Sequence, residues 1–242
     1  MDVKPAERAG QEGAAGAFTP AAAGGGASSN SSSGEPDAGE QAAVRSTRKA
    51  DQSQATREAL IAAAHGLFAQ KGFAGVATEE IVRAAGVTRG ALYHHFDGKR
   101  ELFAAVYEEV ERQLVERIAA SAMASAADPM EALQAGAEAF LDACEDPAVQ
   151  RIALIDAPSV LGWERWREIG LRFGFGLVQA TLQAAIEAGQ VEAQPVGPLA
   201  HLLLGAIDEG AMLVARASDG GQTRAQVGAS VSRFLGALRT AN

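Results

Sequence analysis

Between Thr78 and Lys99 the chain reads T-E-E-I-V-R-A-A-G-V-T-R-G-A-L-Y-H-H-F-D-G-K. The chemistry on offer is a set of hydrogen-bond donors at the start of a short helix. Thr88 is a hydroxyl cap. Arg89 follows with a guanidinium able to grip a guanine edge, or a phosphate, in two-pronged fashion. Gly90 lets the backbone approach a surface closely. Tyr93 and His94, one turn on, put a hydroxyl and an imidazole within reach of a polyanionic backbone. Lys99 stands where the next helix begins, and a helix N-terminus attracts phosphate even without a cation.

The elements that must position these groups are short helices. Leu60, Ala64, Leu67 and Phe68 fall on one face of a 3.6-residue period from about Ser53, and Gly72 ends that helix. Thr78 is an expected N-cap for a second helix, with Glu79 and Glu80 in its first turn and Ile81, Val82 and Ala85 facing inward. Gly86-Val87 forms a tight turn. Thr88 caps a third helix anchored by Ala91, Leu92 and Phe96. Asp97-Gly98 is a turn signal. A fourth helix starts near Lys99, with Leu102, Phe103, Val106, Val110, Leu114 and Ile118 on one stripe. Two short helices about a glycine turn, with small and basic residues opening the second, make a helix-turn-helix whose second helix reaches a DNA major groove.

The segment Gly86-Val-Thr-Arg-Gly-Ala-Leu-Tyr-His-His-Phe-Asp-Gly-Lys-Arg-Glu-Leu-Phe103 resembles the recognition region of TetR-family transcriptional regulators. Arg57 to Gly72, with Phe73, is similar to that family's first helix. The resemblance covers residues 55–103, about a fifth of the chain. It implies that Thr88, Arg89 and Gly90 face base edges and that Tyr93 and His94 contact phosphates. It implies phosphate contacts at the helix starts Thr78 and Lys99, and a structural role for His95 and Phe96. It also implies a C-terminal part that binds a small molecule and dimerises.

Charge follows the same division. The whole chain carries a formal net charge of −9, which taken alone argues against a nucleic-acid binder. Residues 44–103, however, hold nine Arg and Lys against six Asp and Glu, a net of +3, while residues 1–43 and 104–242 are acidic at −4 and −8. Arg45, Arg48 and Lys49 precede the first helix, either as a basic arm for the adjacent minor groove or as solvated linker charge. Gly, Ala, Ser and Pro make up 28 of the first 43 residues, so residues 1–50 are expected to be a disordered tail.

Beyond Asp128-Pro129 every segment is helical in period. Breaks are expected near Asp146-Pro147, Ala157-Pro158, Gly189, Pro195–Pro198 and Asp219–Gly221. No stretch alternates like a strand. The expectation is an all-α protein of about nine helices. Residues 51–103 form an N-terminal three-helix helix-turn-helix domain, and residues 104–242 a helical effector-binding and dimerisation domain. The last two helices, about Pro198–Ala217 and Gln222–Thr240, have broad apolar faces interleaved with small residues, as a symmetric four-helix dimer interface requires.

Trp163, Trp166 and Phe173 share a helix face. They could wall an effector pocket, although ordinary core packing accounts for them equally. Phe140, Arg151 and Asp208 complete that candidate set. The Trp163–Glu168 run also permits ion pairs along a plain helix surface. His94-His95 diverge by about 100° on a helix, so no metal site is expected. Cys144 is flanked by Glu145 and Asp146, which would raise its pKa, so a packed thiol is expected. His201 in its apolar helix reads as a core or interface residue.

No catalytic constellation or cofactor motif stands out, so the chain is expected not to be an enzyme. No secretory signal and no long uninterrupted apolar run are present, which points to the cytoplasm and away from the membrane. The sequence therefore reads as a homodimeric repressor, released from a palindromic double-stranded DNA operator by a small-molecule effector. A ligand-independent DNA-binding regulator of the same fold is the alternative, and a helical-bundle enzyme with a fused DNA-binding domain is a third reading.

Overall fold

In the computed structural model the described residues are 38–125 and 128–240, with side chains described from Thr47 to residue 123 and from residue 128 onward. The expected tail up to residue 37 lies outside them. The helices are α1 (Ala38–Lys71), α2 (Thr78–Ala84), α3 (Arg89–His95), α4 (Lys99–Ser125) and α5 (Pro129–Ala143). They are followed by α6 (Pro147–Val149), a π-helix (Gln150–Asp156), α7 (Ala157–Leu161), α8 (Trp163–Glu187), α9 (Val196–Arg216) and α10 (Gly220–Ala237). Because 147–161 is one unbroken helical stretch, the described residues hold nine continuous helices. A lone bridge between Val191 and Arg239 stands where a strand would need a ladder. The chain is all-α, as its periodicity indicates.

Two boundaries differ from the sequence reading. Helix α1 begins at Ala38, well before Ser53. Residues 38–52 are rich in Ala, Gln, Glu, Arg and Lys, strong helix formers without an apolar stripe, so a search for hydrophobic period passes over them. Arg45, Arg48 and Lys49 thus lie on a helix rather than on an extended arm that could thread a minor groove. The second difference is Ala157-Pro158, which does not break the chain. The Ala157 N–H bonds to Ile152 five residues back, and the π turn widens the helix where the proline has no N–H to give. The real break comes at Gly162, with φ of 83°.

The N-terminal helices close over one apolar cluster. Leu60, Ala64 and Phe68 of α1, Ile81 of α2 and Leu92 of α3 are fully buried against Leu102 and Phe103 of α4. The Phe68, Phe73 and Phe103 rings lie 5.2–5.8 Å apart, two of the pairs edge-on. Along α4 the residues from Leu102 to Tyr107 are all buried, so this helix belongs to the core of both halves. Ion pairs bind it to α8: Arg165 grips Glu101 with two bonds of 2.6 Å, and Arg172 meets Glu108 at 2.9 Å. Arg165 and Arg167 therefore pair across to other helices rather than along their own.

Helices α8 and α9 are long and apolar enough to cross a membrane by length and composition. In this fold α9 buries Leu199, Ala200, Leu203, Ile207, Ala211 and Met212 in the protein core. Its neighbour α10 crosses close by, since a Cβ on Gly210 would stand 2.7 Å from Val227 Cγ1. Gly210→Ala is expected to destabilise the protein by about 1–3 kcal/mol in chemical denaturation, through overpacking. Gly176→Ala, on an open part of α8, is expected to stabilise it by roughly 1 kcal/mol through helix propensity. Equal effects at the two positions would contradict this packing.

Candidate functional site

Two places in the fold gather chemistry. The first is α3. Gly86, at φ of 67°, turns the chain, and Thr88 takes the cap position with its Oγ1 accepting the Ala91 N–H at 3.2 Å. Leu92 and Phe96 point into the core, which fixes the opposite face outward. Thr88, Arg89, Gly90, Tyr93 and His94 are all exposed on that side, Tyr93 by half its surface. A Cβ on Gly90 would meet only Thr88 Oγ1, at 3.8 Å. The room left by this glycine opens away from the protein, where another molecule could approach the backbone. Arg89 lies 5.6 Å from the Tyr93 ring centroid and 3.0 Å from Glu79. Both partners of that ion pair are largely exposed, so the pair is weak and exchangeable.

The two helix-start residues behave differently from expectation. Thr78 is the first residue of α2 and not its cap; Ala77 holds the cap position, without a side-chain bond. Lys99 sends its ammonium back into the domain. Its Nζ donates to the carbonyls of Phe73 and Val76 at 2.9 and 2.8 Å and lies 4.1 Å from the Phe73 ring centroid. Its charge thus clamps the loop between α1 and α2.

The second place is a cavity of about 110 Å³ enclosed by α4, α5, the π-helix, α8 and α9. Of the six candidates from sequence, Phe140, Trp166 and Asp208 line it. Trp166 is buried and its indole N–H bonds the Ala153 carbonyl at 3.0 Å. Arg151, Trp163 and Phe173 do not line it. Arg151 lies beside Gly72, close to Asp156. Trp163 is 64% exposed although its ring lies 4.9 Å from that of Trp166, because the helix has only just begun there. Phe173 packs against the core from the side.

Sequence reading missed Tyr107, Glu111 and Arg167, which also line the cavity. The signal was present: Tyr107, Glu111, Leu114 and Ile118 share one stripe of α4, and an acid on an apolar stripe is out of place. Arg167 is hydrogen-bonded to Asp208. Burial pushes the Glu111 carboxyl up to about 7, opposed by a hydrogen bond from Tyr107 and aided by the charge of Asp208. Burial likewise raises Asp208 to about 6 against the pull of Arg167. Cys144 is a buried thiol in the cavity wall. Burial drives its pKa up, and the acids that add to this are Glu111 and Asp208 rather than its sequence neighbours. Among the described residues, no group of three or more His, Cys, Asp or Glu could hold a metal ion.

A helix-turn-helix with an exposed polar recognition face, on an all-α body enclosing a cavity, defines a DNA-binding regulator. Comparison with known proteins makes the assignment specific. The family model described as bacterial regulatory proteins, tetR family, matches residues 60–106, and one described as tetracyclin repressor-like, C-terminal domain, matches residues 130–238. The transposon Tn10 TetC protein of Escherichia coli is 31% identical over 153 residues, spanning 63% of this chain and 76% of that one. The transcriptional regulator CymR of Pseudomonas putida is 44% identical over 69 residues, covering 28% of this chain and 34% of its own. The crystal structure of a TetR-family transcriptional regulator from Pectobacterium atrosepticum superposes with a TM-score of 0.71 at 31% identity, over 79% of this chain and 97% of that one. The chain belongs to the TetR family of DNA-binding transcriptional regulators.

The buried acid leaves a mark on stability. Folded Glu111 keeps its proton up to about pH 7, whereas the unfolded chain releases it near 4.5. The folded state therefore binds more protons between these values, and stability falls as pH rises through that window. Glu111→Gln is expected to raise stability by about 2 kcal/mol more at pH 8 than at pH 5 in denaturant titrations. An equal effect at both pH values would contradict the burial of a lone carboxyl.

Proposed function

We propose that this regulator is a cytoplasmic homodimeric repressor that leaves a palindromic operator when a small molecule enters the cavity. The observation that carries this reading is a hydrogen bond. The Phe73 N–H donates at 2.7 Å to the Asp156 carboxylate. Phe73 lies in the loop that leads into α2, and Asp156 ends the π-helix. That π-helix also walls the cavity, through Ala153 and Leu154. A ligand pressing on Ala153 and Leu154 would move Asp156, and with it the loop that Lys99 ties to the start of α4. Arg100, next along α4, donates to the Leu161 carbonyl at 2.9 Å and adds a second tie. The cavity therefore bears mechanically on the orientation of α3, and a ligand shifts the balance between two spacings.

Dimerisation supplies the palindrome. Leu202 is 68% and Leu213 53% exposed on α9, with Phe234 on α10, and small residues such as Gly205 and Gly236 lie between them. These apolar residues suit the self-complementary four-helix interface of a two-fold dimer. His201 is exposed on the same helix, its ring 4.6 Å from that of Phe175. Two α3 helices carried by such a dimer would enter successive major grooves. The small net positive charge of the helix-turn-helix makes specific contacts and both protomers necessary for tight binding.

In this reading Thr88, Arg89 and Gly90 meet base edges, Tyr93 and His94 meet phosphates, and the starts of α2 and α4 offer backbone amides near Thr78 and Lys99. Arg89→Ala and Tyr93→Ala are each expected to weaken binding to a selected operator at least tenfold, measured by fluorescence anisotropy, the scale of one lost base or phosphate contact. Unchanged affinity in both would overturn the docking. Leu202→Glu is expected to give monomers in sedimentation and to remove operator binding while the helical spectrum persists. A dimer that survives this change would place the interface elsewhere.

A further inference from the structure

The cavity lining has a charge balance that selects among ligands. It holds two carboxyl groups, Glu111 and Asp208, and one guanidinium, Arg167. Arg167 is already committed: it is paired with Asp208, and its other terminal nitrogen leans on the His201 carbonyl at 3.4 Å. Glu111 has no such partner. Among the described residues no Lys, Arg or His forms an ion pair with it, and the polar group beside it is the Tyr107 hydroxyl, which acts to lower its pKa. That hydroxyl also faces the Trp166 carbonyl, at 3.5 Å. Glu111 is enclosed by protein yet keeps part of its surface open to the cavity.

At pH 8, where Glu111 and Asp208 are both ionised, an anionic ligand would meet a net negative wall with no free cation. A neutral ligand would leave the carboxylate to be desolvated without compensation. A ligand with one positive charge completes the set, by a charge-assisted hydrogen bond to Glu111. The rest of the lining agrees. Tyr107, Phe140 and Trp166 supply aromatic rings, whose faces attract cations. Gly136, Gly170 and Gly174 stand where side chains would otherwise fill the space. The volume, about 110 Å³, suits a molecule on the order of ten non-hydrogen atoms.

We infer that the effector is a small, singly charged amine with an apolar or aromatic body, held by Glu111 through its ammonium group. This rests on the effector-cavity reading above and adds the chemical class of the ligand. The ammonium would sit against Glu111 with the Tyr107 hydroxyl beside it, and the body between α5 and α8.

The test is calorimetric titration of the full-length protein at pH 8 with three compounds of similar shape: 2-phenylethylamine, 2-phenylethanol and 3-phenylpropionate. The amine is expected to bind at least tenfold tighter than the alcohol, and the carboxylate most weakly. Glu111→Gln is expected to weaken the amine at least tenfold and to remove its advantage over the alcohol, which binds the variant no more weakly than the unaltered protein. Gly174→Leu, or Thr181→Leu should the first fail to fold, fills the cavity and is expected to remove binding of the amine. An alcohol that binds as tightly as the amine, with both lost on filling the cavity, overturns the cationic class and leaves the effector cavity standing. Amine binding unaffected by Glu111→Gln does the same. Binding that survives both cavity-filling changes overturns the cavity reading as well, and a failure of the amine to bind the unaltered protein overturns the proposal.

Discussion

The loop from Gly72 to Val76 is held by groups from two distant parts of the chain, and both halves of the molecule depend on that hold. Asp156 takes the Phe73 N–H. Lys99 takes the carbonyls of Phe73 and Val76 and covers the Phe73 ring. The backbone polar groups of an irregular segment need partners once burial takes them from water. Here these partners also carry position. The loop sets where α2 begins, α2 and the Gly86 turn set α3, and Lys99 is the first residue of α4. A cation and an anion thus tie the helix-turn-helix to the π-helix that walls the cavity. The charged groups in this junction bond mainly to backbone, which fixes geometry more strictly than a pair of flexible side chains would.

The same economy is visible in α4. Its first two turns belong to the DNA-binding core and its middle turns to the cavity, and the burial of Leu102 through Tyr107 leaves no seam at which the two could slide independently. A close-packed helix transmits displacement rather than absorbing it. Opposite it, the π-helix supplies a turn wider than the α-helical norm, with Pro158 removing one more bond from the ladder just beyond. An α-helix and a π-helix therefore border the same cavity.

The helix-turn-helix was legible in the sequence because its determinants are local. A glycine with positive φ, a threonine cap and an alternation of buried and exposed positions within seven residues all act over short separations. The cavity was legible only in part. Trp166, Phe140 and Asp208 come from three different helices, and nothing in their spacing shows that they converge. Trp163, three residues from Trp166, shares its face yet remains outside. Glu111 stood in a run of charged residues that reads as solvated surface, although its place on the Tyr107–Ile118 stripe marked it as inward. Lys99 shows the converse: its position at a helix start was right, but whether its ammonium faces outward or folds back depends on carbonyls more than twenty residues away. The early start of α1 was hidden because helix propensity without an apolar face leaves no periodic trace.

In the proposed reading, two copies of α3 are held at a spacing that DNA requires and that the cavity controls. That spacing is read by the distance between spin labels placed at Asp97→Cys, an exposed position just past α3 and outside the proposed DNA contacts, in both protomers of the dimer, with the buried Cys144 left in place, measured by pulsed electron resonance. With operator bound, a narrow distribution is expected near 34–36 Å, or at a multiple of that helical turn. In protein carrying 2-phenylethylamine the distribution is expected to move away from that value, and a spacing that is the same with operator and with amine would contradict the account.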